Sequence, residues 1–302
     1  MDTAEAPLQT GTLVLLGLLA ALAVAFTLYW WRQLRAADRT KDATRPVDYA
    51  IGAVTDFFDT LGIGSFAPTT SIFKFLRRMP DEQIPGTLNV GHALPTVTQA
   101  FVFVAIVTVD FTTLGSLIAA SVAGAWLGAG VVTQMPRRNI QIGMGIALIA
   151  AATLFTGANL HWIPGGGTAR ALSPGLLAVG VAINFVLGAL MTLGIGLYAP
   201  CLIAMSLMGL DPIVAFPIMM GSCAFLQPSA GMRFIARGRY HRGASIALTL
   251  AGIPAVLIAA YVVRSLPLEW LRWLVTGVVL IAASMMLRSA AREGAEPGPV
   301  VS

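Results

Sequence analysis

The sequence predicts an all-α polytopic membrane protein. It reads as two tandem, inverted repeats, each a Gly/Pro-broken helix hairpin plus three spans, preceded by an extra N-terminal transmembrane helix. Three observations carry this reading. Of the 302 residues, 57% are hydrophobic and 11% charged, where a soluble domain carries about 25% charged residues. The run Thr60-Leu61-Gly62-Ile63-Gly64-Ser65-Phe66-Ala67-Pro68 recurs as Thr192-Leu193-Gly194-Ile195-Gly196-Leu197-Tyr198-Ala199-Pro200, with seven of nine positions identical. At the same offset of 132, Pro80 meets Pro212 and Pro85 meets Pro217. Finally, the basic residues sort to one side of the bilayer if each motif-bearing block is a hairpin.

The elements follow in order. Gly11 to Trp31 is an apolar run of 21 residues with Asp2 and Glu5 before it and no Lys or Arg. Arg32, Arg35, Arg39, Lys41 and Arg45 follow. That asymmetry predicts an uncleaved anchor with its N-terminus outside. Residues 1–46 are thus an anchor and cytoplasmic linker, 47–162 the first repeat and 163–173 an inter-repeat loop containing Pro164-Gly165-Gly166-Gly167. Residues 174–290 are the second repeat, and the polar tail 291–302 reads as disordered. Apolar blocks lie at 47–76, 87–109, 111–132, 140–160, 174–208, 213–232, 243–263 and 268–287.

If every block crosses the membrane once, the chain has nine spans, with 12 Lys/Arg inside and 7 outside. If blocks 47–76 and 174–208 return to their starting side, there are seven spans, with 16 inside and 3 outside. The positive-inside rule favours the hairpins. A hairpin plus three spans inserts each copy with opposite orientation and leaves the C-terminus cytoplasmic. Against this, Pro174–Leu193 is long enough to cross alone. The formal net charge of +5 sits in connections between spans and does not imply nucleic acid. Cys201 and Cys223 lie within apolar blocks and read as buried thiols rather than a disulfide or metal site.

The repeated motif is a break in a helix. Gly62 and Gly64 supply backbone freedom, and Pro68 cannot donate to the turn before it. Gly194, Gly196 and Pro200 do the same in the second copy. A helix restarted beyond such a break points free N–H groups and its positive dipole end at the gap, which favours an anion. Irregular backbone at membrane depth is tolerated only where protein or a wet cavity covers it. Paired broken segments at corresponding places are a pointer to a transporter's binding site. The blander reading is a packing kink.

Polar residues gather near the breaks. Asp56 and Asp59 share a face at i, i+3, and ionisable groups at membrane depth are functional candidates. The bland alternative sets them near the surface or paired with Lys74. Their counterparts at the 132 offset are Gly188 and Met191. Asn89, His92, Thr96 and Gln99 fall on one stripe of the next span, with Thr98 beside them. Asn184, Ser222, Gln227 and Ser229 are comparable positions in the second half. Thr69, Thr70 and Ser71 add hydroxyls to the first break. His92 has no second His or Cys at ligand spacing, so no metal is expected; His161 and His241 lie in connections. The sequence carries no P-loop, Rossmann fingerprint, HExxH or Gly-x-Ser-x-Gly, and neither an enzyme nor a cofactor is expected.

Two copies of Gly-Ile-Gly followed by Pro, and above all the run Asp56 to Thr70, resemble the TauE/SafE family of sulfite and organosulfonate exporters. The resemblance covers residues 47–290 and leaves the N-terminal anchor as an addition. Many members carry further glycines where this chain has Ser65-Phe66 and Leu197-Tyr198. The resemblance implies a multi-pass inner-membrane permease for small sulfur-containing anions. The expected substrate-binding residues are Gly62, Gly64, Ser65, Pro68, Thr69, Thr70, Asn89, His92, Gly194, Gly196, Pro200 and Gln227, with Asp56 and Asp59 for proton coupling. Expected partners are a small anion, the lipid bilayer and, where assembled, a second copy of the chain. The alternatives are an anion channel of the same fold and a non-catalytic assembly or maturation factor.

Overall fold

The computed structural model describes residues 10–36, 42–132, 167–191 and 196–265, with single positions inside 142–160 and 270–291. The spans expected at 140–160 and 268–287, the tail 291–302, His161 and Gly194 therefore fall largely or wholly outside the described residues. The described chain is helical: α1 (Thr10–Ala36), α2 (Pro46–Thr60), α3 (Phe66–Phe75), α4 (Ile84–Gly91), α5 (Ala93–Ile106), α6 (Phe111–Val132), α7 (Pro174–Met191), α8 (Tyr198–Leu207), α9 (Pro212–Ala236) and α10 (Arg242–Ser265).

Among the described residues, five stretches are long and apolar enough to cross a bilayer: Thr10–Arg35, Ile84–Ile106, Pro174–Met191, Pro212–Ala236 and Arg242–Val262. At 1.5 Å per residue, the 15 residues of α2 and the 10 of α3 each fall short of a hydrocarbon core of about 30 Å. The first motif block is therefore a pair of short helices broken between Leu61 and Ser65.

Both ends of that pair lie together. Pro46 starts α2 with the N–H-free residue suited to the first turn. Asp48 reaches back to accept from the backbone N–H of Arg45 at 2.9 Å. Arg78, three residues beyond α3, grips the same carboxylate with Nε at 2.8 Å and Nη2 at 2.7 Å. It also donates to the carbonyl of Ala43 at 2.9 Å and meets His241 Nε2 at 3.0 Å. Arg78 is 7% exposed and Asp48 fully buried, so this bidentate pair is a strong, specific tie. The second block closes too, by backbone: Asp211 N–H donates to Ala169 O at 2.9 Å and Ala169 N–H to Gly209 O at 3.2 Å. Blocks 47–76 and 174–208 both return to where they began.

They return to opposite ends of the molecule. The Asp48–Arg78 clasp lies with the α9–α10 connection, where His241 N–H donates to Thr87 Oγ1 at 2.9 Å. The Ala169–Leu210 bridge lies with the α5–α6 connection, where Asp110 N–H donates to Arg170 O at 3.0 Å. Helices α5 and α9 connect these two ends.

Element bounds recur at the offset of 132. Helix α3 (66–75) maps onto α8 (198–207) residue for residue. Arg77, with φ of 46°, maps onto Gly209 at 91°. The packing is reciprocal as well: α2 lies against α10, α7 against α6, and α5 against α9. Glycines permit these close approaches. A Cβ on Gly52 would strike the backbone of Leu248, and one on Gly188 would strike the backbone of Ser121. The anchor α1 packs on α9 and α5, with Phe26 buried against Gly231 and Trp30 Nε1 donating to Tyr240 Oη at 3.3 Å. Outward faces are apolar, with Val54, Phe58, Val179, Val186, Leu250 and Ile258 exposed. The interior holds Asp56, Asp59, His92, Gln99 and Asn184 buried. That inside-out distribution suits a lipid solvent.

Candidate functional site

The first break runs from Leu61 to Ser65. Gly62 and Gly64 hold φ of 97° and 87°, the left-handed region that a side chain would strain. Gly62 also lies close under the second half: a Cβ there would stand 3.6 Å from Met219, 3.7 Å from Leu202 and 3.9 Å from Phe216. The chain reverses here and α3 restarts at Phe66.

The carboxylates before the break organise it. Asp59 Oδ1 accepts the backbone N–H of Ser65, the N-cap of the restarted helix. An internal anion therefore occupies the position expected for a bound one. Asp59 Oδ2 accepts from Gln99 Nε2 at 2.8 Å, which also meets Thr60 Oγ1 at 3.0 Å. The Gln99 carbonyl accepts from Tyr198 Oη at 2.7 Å. Tyr198 is the first residue of α8, the helix restarted after the second break. The path Ser65–Asp59–Gln99–Tyr198 thus joins the two breaks through side chains.

Asp56 forms the second branch. Its Oδ1 lies 2.7 Å from His92 Nδ1, both side chains fully buried. His92 sits between α4 and α5 with φ −88° and ψ −4°, and its Nε2 lies 3.2 Å from Thr69 Oγ1 in α3. Asp56 Oδ2 has no hydrogen-bond partner and packs on α10 at Gly252, where a Cβ would collide with it. An orphaned buried carboxylate oxygen is costly and marks a place where a proton or ligand changes the balance. Arg78, at the distant clasp, is the buried Lys or Arg among the described residues.

The second break carries different chemistry. Asn184 Oδ1 accepts from Ser121 Oγ at 3.3 Å and lies 3.5 Å from Cys201 Sγ. Cys223 Sγ lies 3.5 Å from Met191 Sδ. Both cysteines are free and buried, as their apolar setting predicts.

Of the expected site residues, Asp56, Asp59, Ser65, Thr69 and His92 converge, and Gly62 shapes the turn that lets them. Gly64, Pro68 and Thr70 lie on the same loop or helix, half-buried. Asp56 and Asp59 are buried away from the exposed Lys74, so the surface-pair alternative does not hold. Asn89 is half-buried and donates to Pro85 O at 2.9 Å, without a hydrogen bond to this network. Gly196 and Pro200 flank the restart of α8, half-buried. Gln227 is buried on α9, its Oε1 without a partner, and makes no hydrogen bond to this network. Tyr198 was legible only as the aromatic equivalent of Phe66. Its extra hydroxyl, the chemical content of that mismatch, is what reaches Gln99.

Comparison with known proteins agrees with the sequence motif. The sulfite exporter TauE/SafE family model matches residues 5–155. No curated protein and no solved structure matches the chain. The match begins at residue 5 and takes in α1, so the anchor lies within the matched segment and is not an addition outside it. With half of its length matched and five apolar helices long enough to span a bilayer, the chain belongs to the TauE/SafE sulfite exporter family of membrane transporters.

Proposed function

We propose that this protein is an inner-membrane secondary transporter that carries small anions of the sulfite or organosulfonate type together with protons. The observation that carries the proposal is the buried network in which Asp56, Asp59 and His92 join the two helix breaks. With both carboxylates ionised and His92 protonated, the centre keeps one excess negative charge. In a low-dielectric interior that charge repels an incoming anion. Protonation of Asp59 removes it and frees the Ser65 N–H. Proton and anion then favour each other's binding, and linkage makes the effect reciprocal.

Two features support a rocking mechanism. The hairpins close at opposite ends, and the α2–α10, α7–α6 and α5–α9 contacts are reciprocal. A two-fold relation between inverted copies produces that pattern, and one copy moving against the other exposes a shared centre alternately. The positive-inside count supports a cytoplasmic clasp and α9–α10 connection.

Reconstituted protein in liposomes with an imposed pH gradient tests this. Sulfite or a small sulfonate accumulates against its electrochemical gradient, which a channel cannot do. Asp59→Asn abolishes proton-driven accumulation and leaves downhill exchange measurable. Absence of flux for every sulfur oxyanion and sulfonate tried overturns the reading.

A further inference from the structure

We propose that the transported anion docks first in an arginine-lined pocket beside the second break, leaving the first break to handle protons. The inference rests on the transporter reading above and assigns it a substrate site. A pocket of about 210 Å³ opens between α4, α6, α7 and α9, lined by Asn89, Trp126, Gly188, Met191, Arg233 and Arg237 among others. A water's share of liquid volume is about 30 Å³, so the space suits a tetrahedral oxyanion or small sulfonate with a few waters. Among the described residues no carboxylate lines it.

The location is informative. Gly188 and Met191 stand where Asp56 and Asp59 stand in the first half, at the 132 offset. The place that is carboxylate-filled at one break is carboxylate-free at the other, and there two guanidinium groups approach from the last turns of α9. Arg233 is set by Trp126, its guanidinium carbon 5.1 Å above the ring. Stacking holds the plane of the fork and leaves its edge N–H groups to meet an oxyanion in two-pronged fashion. Arg237 follows one turn later on the same face of α9. Asn89 spends one amide hydrogen on Pro85 O and keeps the other. Ser229 also lines the pocket, but its hydroxyl donates to Phe225 O at 3.0 Å, so it offers lone pairs and not a donor.

The inner wall explains why this is a waiting site. Met191 is 7% exposed and meets Cys223 Sγ through its sulfur. An anion at Arg233 is therefore separated from the buried interior by a flexible, displaceable side chain. The pocket sits at the end of the molecule that carries the α9–α10 basic cluster, where a cytoplasmic anion arrives.

Arginines at a helix end also bind lipid phosphate, and one experiment separates the two sources. Protein in phosphatidylcholine nanodiscs is titrated with sulfite, and separately with methanesulfonate, by calorimetry. Arg233→Gln weakens sulfite binding about ten- to a hundredfold, the effect of one charge-assisted hydrogen-bond donor. Arg233→Lys recovers part of it, and Arg237→Gln gives a smaller loss. Arg239→Gln, on the same end but outside the pocket, leaves affinity unchanged. Melting temperatures within a degree or so of the unsubstituted protein confirm folding of these exposed-site variants. Unchanged sulfite affinity in both Arg233→Gln and Arg237→Gln overturns the pocket while leaving the transporter reading intact. Arg233-dependent binding of phosphatidylglycerol without Arg233-dependent binding of free sulfite also overturns it. If the unsubstituted protein neither binds nor moves any such anion, the transporter reading itself fails.

Discussion

The two breaks share a backbone and differ in chemistry. Around the first, Asp56, Asp59, Thr69, His92 and Gln99 form one buried polar cluster. At the 132 offset their places are taken by Gly188, Met191, Cys201, Ala224 and Gly231. The helix restarts at Phe66 in one and at Tyr198 in the other, and residues 192–195 between α7 and α8 lie outside the described residues. Even the close approach is exchanged. At the first break Asp56 abuts a glycine of α10, and at the second Gly188 abuts the backbone of Ser121 in α6. Restarting a helix at membrane depth demands one geometry, so glycine and proline recur. Charging that geometry is expensive in lipid, and only one half bears it. The difference teaches that a shared scaffold can carry a buried charged network in one half and an apolar counterpart in the other, which is the division that the proposed proton and anion roles use.

The largest expected effect breaks the charged half directly. His92→Ala strips Asp56 of its buried partner and costs about 3–5 kcal/mol; thermal melting in detergent reads the loss. Adding Asp56→Asn recovers much of it, because the uncompensated charge goes too. In the apolar half, Cys201→Ala costs about 1 kcal/mol, the scale of a small buried deletion. Equal losses at His92 and Cys201 would erase the contrast.

Next come the glycine approaches. Gly252→Ala pushes a methyl group into Asp56 Oδ2, and Gly188→Ala pushes one into the backbone of Ser121. Overpacking of this kind costs about 1–3 kcal/mol. Gly252→Ala also changes the pH profile of proton-driven uptake, because it moves a carboxylate, whereas Gly188→Ala, which abuts no titrating group, leaves the shape of that profile unchanged. Identical pH profiles for the two variants would deny Asp56 a role in coupling.

Smaller is the link between the halves. Tyr198→Phe removes one hydrogen bond to Gln99, worth about 0.5–1.5 kcal/mol. It restores the residue type found at position 66, so it tests whether the hydroxyl acts as a tie. Loss of coupling ratio with little loss of melting temperature is the expected outcome. An unchanged ratio removes Tyr198 from the mechanism.

The smallest effect lies outside the membrane, at the clasp. Burial and then the Arg78 guanidinium hold the His241 imidazole below its usual 6.5. Asp42 and Asp48 pull the other way more weakly. The folded protein therefore takes up this proton less readily than the unfolded chain. Stability from this group is complete above about pH 6.5 and declines as pH falls below it, until the folded form titrates as well. Melting curves between pH 7.5 and 5 should show the decline, and His241→Asn should flatten it. A decline that survives the substitution belongs to other groups.

The hairpin expectation came from charge placement, which obeys a simple rule. Lys and Arg stay on the cytoplasmic side, and only re-entrant blocks sort them so. The length of Pro174–Leu193 pointed the other way. In the structure Arg78 on Asp48 and Ala169 beside Leu210 bring the flanks of each block together, contacts between residues 30 and 41 apart that periodicity cannot encode. Asn89 shares the expected stripe, but its side-chain hydrogen bond is to Pro85 one turn back rather than to the cluster. Gln99 was visible as a polar residue at membrane depth, but its partners Asp59, Thr60 and Tyr198 lie on two other elements, α2 and α8.

The sequence by itself determined the solvent, the duplication, the places where helices must stop and the family. These follow from composition, identity at a fixed offset and the backbone limits of glycine and proline, all local properties. The tertiary structure decided which polar groups meet. Asp59 could have capped any helix, faced Lys74 or lined a pore. Folding placed Ser65, Gln99 and Tyr198 around it because α2, α5 and α8 pack together there. Pairings of that kind depend on how helices dock across the two halves, and docking is a property of surfaces assembled from distant segments rather than of any one of them.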